Sequence, residues 1–166
     1  MKKVLLIMVV LASGIIANSQ GSLSPGKYQL NAGLGLSDWG IPFYVGADYS
    51  LENNFSTGGE ISFRSYSENV NGKSYSNAIT GISGNINYHF NEVFNVPENF
   101  DVYGGLNLGY YSWSSASGYA GSHSSGLGLG AQIGGRYCWS NNLGVNLELG
   151  GGNVFSSGKI GLTIKF

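Results

Sequence analysis

The 166-residue chain is long enough for one domain, yet only 10% of its residues are charged, well below the roughly 25% of an average soluble protein. It holds 28 Gly against 3 Pro, and aromatics reach 13% with 11 Tyr, a supply of sheet-forming side chains that excludes a disordered chain. The formal net charge of −1 gives no basic surface to attract nucleic acid.

Lys2 and Lys3 precede an apolar run from Val4 to Ala17. That run is shorter than the roughly 20 residues of a spanning helix, and a short basic stretch before it is the pattern of a Sec-type export signal. Ala17 and Ser19 satisfy the small-residue rule for cleavage before Gln20, and cleavage after Gln20 also fits. Residues 1–20 are therefore predicted to be a cleaved signal peptide and 21–166 the folded domain, with an uncleaved anchor as the alternative. Loss of Lys2 and Lys3 leaves six basic and nine acidic residues, a net charge of −3. The single Cys138 cannot form an internal disulfide.

Turn-rich stretches then divide the chain. They are Asp38-Trp39-Gly40, Glu52-Asn53-Asn54, Asn71-Gly72, Pro97-Glu98-Asn99, Ser115 to Ser125, Ser140-Asn141-Asn142 and Ser156-Ser157-Gly158. Between them eight runs alternate with period two, which predicts strands near 27–36, 43–51, 55–64, 79–90, 100–111, 126–139, 143–150 and 159–166. Most are close to the 9–11 residues of a tilted membrane strand. The connection from Asn91 to Asn99 is long for an inner turn and holds Val93, Phe94 and Val96.

The two faces of these strands differ in kind. One carries residues such as Leu30, Leu34, Val45, Ile61, Ile82, Leu106, Leu129, Ile133, Leu147 and Leu162, and no charge. The other carries Asp48, Glu60, Arg64, His89, Asp101, Arg136, Glu148 and Lys165, with Gln29, Asn31, Asn85, Asn87, Asn107, Gln132 and Asn146. The second face is read as free of aliphatic side chains, its four acids nearly balanced by three bases. A soluble barrel buries its apolar face and coats its polar face with Lys and Glu. Here the polar face is sparsely charged and rich in Gly and Asn, which fits a packed polar interior. A charge on a lipid-facing position near the midplane costs about 2–4 kcal/mol, and only a closed barrel satisfies every strand hydrogen bond in lipid. The predicted fold is all-β: an eight-stranded antiparallel up-and-down transmembrane β-barrel.

With the first strand starting in the periplasm, one rim collects Tyr28, Tyr49, Phe55, Tyr88, Phe90, Phe100, Tyr137, Trp139 and Phe166, an aromatic girdle of the kind found at membrane interfaces. The final strand alternates through Gly161-Leu162-Thr163-Ile164-Lys165-Phe166 and ends on an aromatic. In these features the chain resembles the small eight-stranded outer-membrane barrels of the OmpA, OmpX and OmpW type from Gram-negative bacteria. The resemblance implies location in the outer membrane, contact with its lipid and lipopolysaccharide, and recognition of the strand ending in Phe166 by the barrel-assembly machinery. A monomer without cofactor is expected.

Function has to be argued from the lumen and loops, since fold alone does not specify it. An eight-stranded barrel is just wide enough for its side chains to fill it. A plugged lumen is therefore expected, held by ion pairs centred on Arg136, Glu148 and Glu60, with Arg64 higher and Asp48, Asp101 and Lys165 near the periplasmic rim. Gly126 to Gly134 leave room beside Tyr44, Tyr103 and Tyr111. This supports a structural or surface-interaction role, with a narrow channel for small solutes as the alternative. A lipid A-modifying enzyme is the less favoured third reading. His123-Ser124-Ser125 is similar to the His-x-Ser of outer-membrane lipid A deacylases, but Gly126 stands where that family tends to have Asn and no outward Glu follows. The Gly126-x-Gly128-x-Gly130 run lacks the helix a phosphate loop needs. His89, His123 and Cys138 have no metal-ligand spacing. The outer loops, near 37–42, 65–78, 112–125 and 151–158, are rich in Ser, Tyr, Gly and Asn, which is adaptable contact chemistry.

Overall fold

A computed structural model describes residues 23–166 except 38, 53, 71–72, 115–123 and 153–156. The segment assigned as signal peptide, and His123 of the His-x-Ser stretch, lie outside the described residues.

The strands are β1 (Tyr28–Leu36), β2 (Phe43–Ser50), β3 (Phe55–Val70), β4 (Lys73–His89), β5 (Phe100–Ser114), β6 (Gly126–Cys138), β7 (Leu143–Gly152) and β8 (Gly158–Lys165). Each pairs antiparallel with its neighbour in sequence, and β1 pairs with β8 from Gln29↔Lys165 to Leu36↔Gly158, closing the barrel. Closure removes the free edges that would expose unpaired backbone groups. The fold is the expected eight-stranded antiparallel up-and-down barrel.

The period-two pattern maps onto the wall. Leu30, Ile61, Ile82, Leu106, Leu129, Ile133, Leu147 and Ile160 point outward and are 44–64% exposed. Gln29, Asn31, Asp48, Asp101, Arg136, Asn146 and Lys165 point inward and are buried. The molecule is thus apolar outside and polar inside, the inverse of a water-soluble barrel. One inward residue departs from the expected polar lining: the aliphatic Ile79, which is 1% exposed.

The β3–β4 hairpin is longer than the sequence reading. Its ladder continues from Arg64↔Ile79 to Val70↔Lys73, through residues read above as the outer loop 65–78. Residues such as Ser65, Ser67, Ser74 and Ser76 are polar and exposed, so the hydrophobic contrast between faces fades while the backbone pairing goes on. Likewise β5 runs to Ser114. We call this end the long-hairpin rim. Here Gly40 (φ +93°) turns the β1–β2 connection against β3, where a Cβ would stand 2.8 Å from the Ser65 carbonyl oxygen.

At the opposite, short-turn rim, the connection after β4 contains a single-turn helix, α1 (Asn91–Phe94), closed by Asn95 in the left-handed conformation (φ +53°). The Asn91 side chain donates to the Phe100 carbonyl (2.7 Å) and accepts from the Val102 amide (3.0 Å), which ties α1 to the start of β5.

Candidate functional site

The lumen holds two ionic clusters joined through a tyrosine. In the first, Arg136 of β6 donates from Nη1 to Asp101 Oδ2 (2.7 Å) and from Nη2 to Asp48 Oδ2 (3.2 Å). Asp101 lies on the neighbouring strand β5, directly opposite Arg136 in the ladder. Asp48 lies across the barrel on β2, and its Oδ2 also accepts from Gln29 (2.8 Å) and Asn31 (2.8 Å). Thr163 in turn donates to Asn31 (2.7 Å), so strands β8, β1, β2, β5 and β6 share one network.

In the second cluster, Lys159 of β8 is the cation. Its Nζ donates to Glu60 Oε2 (2.8 Å) and to Glu148 Oε1, and it lies 5.2 Å from the Tyr44 ring centroid. Tyr103 connects the clusters. Its hydroxyl donates to Glu148 Oε2 (3.0 Å), and the Arg136 guanidinium lies 4.1 Å from its ring centroid. Removal from water makes such a cation–ring contact stronger than at a surface. The wall is locally thinned for these rings. A Cβ on Gly134 would overlap the Tyr103 ring, and one on Gly161 would stand 2.5 Å from the Tyr44 hydroxyl.

The expected centre on Arg136, Glu148 and Glu60 is therefore rearranged. Glu148 and Glu60 do meet, but through Lys159. Arg136 binds Asp101 and Asp48 and reaches Glu148 only by way of Tyr103. The reason is register: Arg136 pairs with Asn146, while Glu148 pairs with Gly134, the residue that admits the Tyr103 ring. Sequence reasoning missed Lys159. Its parity with Lys165, six residues on along the same strand, was the available signal. Among the described residues the inner face therefore carries four acids and four bases. Arg64 sits toward the long-hairpin rim, 5.5 Å from the Trp39 ring centroid. Lys165 is buried and pairs along the wall with Gln29.

His89 stands between Asp101 (Nδ1 to Oδ1, 2.7 Å) and Ser56 (Nε2 to Oγ, 2.9 Å). This is the connectivity of a nucleophilic triad, but Ser56 is only 1% exposed and the other Asp101 oxygen is held by Arg136. The trio links β3, β4 and β5 through side chains on the inner wall. Among the described residues, no group of three His, Cys, Asp or Glu is placed to hold a metal ion.

Side chains leave little free volume at mid-barrel. A cavity of about 20 Å³, bordered by Tyr44, Glu60, Tyr103, Arg136, Asn146 and Lys159 among others, has room for roughly one water molecule. A larger open vestibule of about 840 Å³ lies at the short-turn rim, with His89 at its floor and Asn54, Asn91 and Glu92 on its walls.

The aromatics of that rim touch in two pairs and one series of four. Ring centroids are 4.7 Å apart for Tyr28–Tyr49, 5.0 Å for Phe55–Tyr88, 4.9 Å for Tyr88–Phe90, 5.7 Å for Phe90–Phe94 and 4.9 Å for Phe100–Tyr137. Trp139 and Phe166 follow the same ends of β6 and β8. Phe94 joins the series from α1 and was not assigned to it from sequence.

No protein-family model and no curated protein sequence matches the chain. Among solved structures it is similar to the outer membrane protein OprG from Pseudomonas aeruginosa (TM-score 0.67, 11% identity, covering 91% of this chain and 99% of that one). It is also similar to Neisserial surface protein A (TM-score 0.60, 17% identity, 85% and 97%). A third similar structure is the Yersinia pestis outer membrane protein Ail in a phospholipid bilayer nanodisc (TM-score 0.53, 16% identity, 85% and 99%). The chain has the fold of the small eight-stranded outer-membrane β-barrels.

Proposed function

We propose that the protein is an outer-membrane β-barrel whose plugged lumen serves stability, and that its role is structural or surface-interacting. The supporting observation is the pair of ionic clusters spanning the barrel interior, with a residual cavity of about 20 Å³ between them. Side chains bonded to one another across the lumen support the reading that a hydrated ion is excluded. The inverted polarity of the wall supports a lipid environment, because an aliphatic belt of this extent has no counterpart on a soluble monomer. The short-turn rim is then periplasmic and the β3–β4 hairpin reaches outside the cell, where its Ser- and Tyr-rich surface offers adaptable contact chemistry.

The test is conductance. The purified protein, folded in detergent and shown to be a barrel by heat-modifiable gel mobility, is added to planar lipid bilayers. The plug predicts no steady single-channel steps. Regular steps of uniform size overturn it in favour of a narrow solute channel.

A further inference from the structure

The helix α1 (Asn91–Phe94) is the one described element outside the barrel wall, and its two sides differ. Glu92 turns inward over the vestibule, where its Oε2 accepts from Asn54 Nδ2 (2.8 Å). Val93 and Phe94 turn outward and are 61% and 65% exposed. The helix is held in place: the Phe94 amide donates to the Phe90 carbonyl (3.0 Å), the Val96 amide to the Asn91 carbonyl (2.9 Å), and the Asn91 side chain holds β5. Two apolar side chains are therefore displayed on a fixed backbone. The Phe94 ring also continues the contact series Phe55–Tyr88–Phe90, so this patch joins the apolar belt without a gap.

We propose that α1 is an interfacial anchor, with Val93 and Phe94 inserted at the headgroup–acyl boundary of the lipid leaflet at the short-turn rim. This rests on the membrane reading above and adds to it a site that fixes the depth of the barrel. Continuity with the belt points to lipid as the occupant, and the split between Glu92 and the Val93-Phe94 pair is the asymmetry of a helix lying in an interface. A transmembrane barrel is bounded by an aromatic girdle. Here the girdle gains a fixed extension on one side only, which resists both tilting and vertical displacement.

The experiment measures depth directly. Nitroxide labels are attached at Val93→Cys, Leu106→Cys and Glu98→Cys, each with Cys138→Ser, and the folded proteins are reconstituted into phosphatidylcholine–phosphatidylglycerol vesicles. Cys138 is 1% exposed; if serine there disturbs folding, the labels are repeated with the buried thiol retained. Collision with dissolved oxygen reports lipid, and collision with a water-soluble nickel chelate reports water. The expected result is oxygen dominance at 106 and, more weakly, at 93, with nickel dominance at 98. Nickel dominance at 93 with oxygen dominance at 106 overturns the anchor and leaves the membrane reading standing. Nickel dominance at 106 overturns the membrane reading itself, and the anchor with it.

Discussion

Replacing Lys159 by methionine tests the second ionic cluster. The change shortens the side chain by one heavy atom and removes its charge, so most of the lumen stays filled while Glu60 and Glu148 lose their shared cation. The two carboxylates do not fare alike. Glu148 keeps the Tyr103 hydroxyl as a donor, whereas among the described residues Glu60 keeps no hydrogen-bond donor. Removing one partner of a buried ion pair typically costs about 3–5 kcal/mol. A ceiling follows from neutralisation. A glutamate that takes up a proton at pH 7, against an ordinary pKa of about 4.3, costs roughly 4 kcal/mol. These side chains are 10–15% exposed, which admits some solvent relief, so about 3 kcal/mol is expected. Urea unfolding in lipid vesicles, followed by tryptophan fluorescence and gel mobility, measures it. The triple variant Lys159→Met, Glu60→Met, Glu148→Gln removes the stranded charges and is expected to regain most of the loss. A cost below about 1 kcal/mol for Lys159→Met, or a triple variant no more stable than the single one, refutes the assignment of this cluster as a buried, mutually dependent unit.

Other consequences can be checked independently. Leu106→Arg places a charge on the outward belt and is expected to cost about 2–4 kcal/mol of folding free energy in vesicles; a cost near zero contradicts a lipid-facing position. Gly134→Ala drives a methyl group into the Tyr103 ring and is expected to destabilise by about 1–3 kcal/mol. Combined with Tyr103→Leu it should show a coupling of more than about 0.5 kcal/mol in a double-mutant cycle, and strict additivity would rule out the contact. Arg136 Nε and Asn146 Oδ1 are buried without partners, sit opposite each other in the ladder and border the 20 Å³ cavity. A high-resolution structure should find one water bonded to both, since a buried donor and acceptor left empty each cost about 1–3 kcal/mol; a dry cavity there would count against the side-chain placement.

The parity of the wall was legible because solvent writes it locally. Leu106 and Asn107 differ in what they touch, and each neighbour repeats that choice, so the alternation survives in the chain order. The same reasoning explains where legibility ended. Beyond Arg64 both sides of the β3–β4 ladder are polar, so residues such as Ser65, Ser67, Ser74 and Ser76 read as loop although their backbones remain paired. Cross-lumen partners were less accessible still. Whether Arg136 meets Glu148, Asp48 or Asp101 depends on stagger and on which ring occupies the gap, and neither is encoded in a single strand. The amphipathic sense of α1 was hidden by its length, since four residues show no helical period.

The ion pairs also bear on how this chain finds its register. A one-residue slip between strands sends every inward side chain outward. A slipped β5 would place Asp101, and a slipped β6 Arg136, on the lipid side, at about 2–4 kcal/mol for a base near the midplane and less for an acid or near a rim. Such a slip would also strip Asp48 of Arg136 or His89 of Asp101, leaving, among the described residues, Asp48 with only Gln29 and Asn31 or His89 with only Ser56. Apolar plug residues would not impose this penalty, because a leucine fits either face of a membrane strand. The partners are moreover distant in sequence: Lys159 meets Glu60 at a separation of 99 residues, and Arg136 meets Asp48 at 88. Such contacts form only when β8 has closed onto β1 in the correct stagger. Even where a buried ion pair adds little net stability over an apolar substitute, it separates the closed, correctly registered barrel from its slipped alternatives, and this is a reason for an interior of eight balanced charges in a chain that has so few.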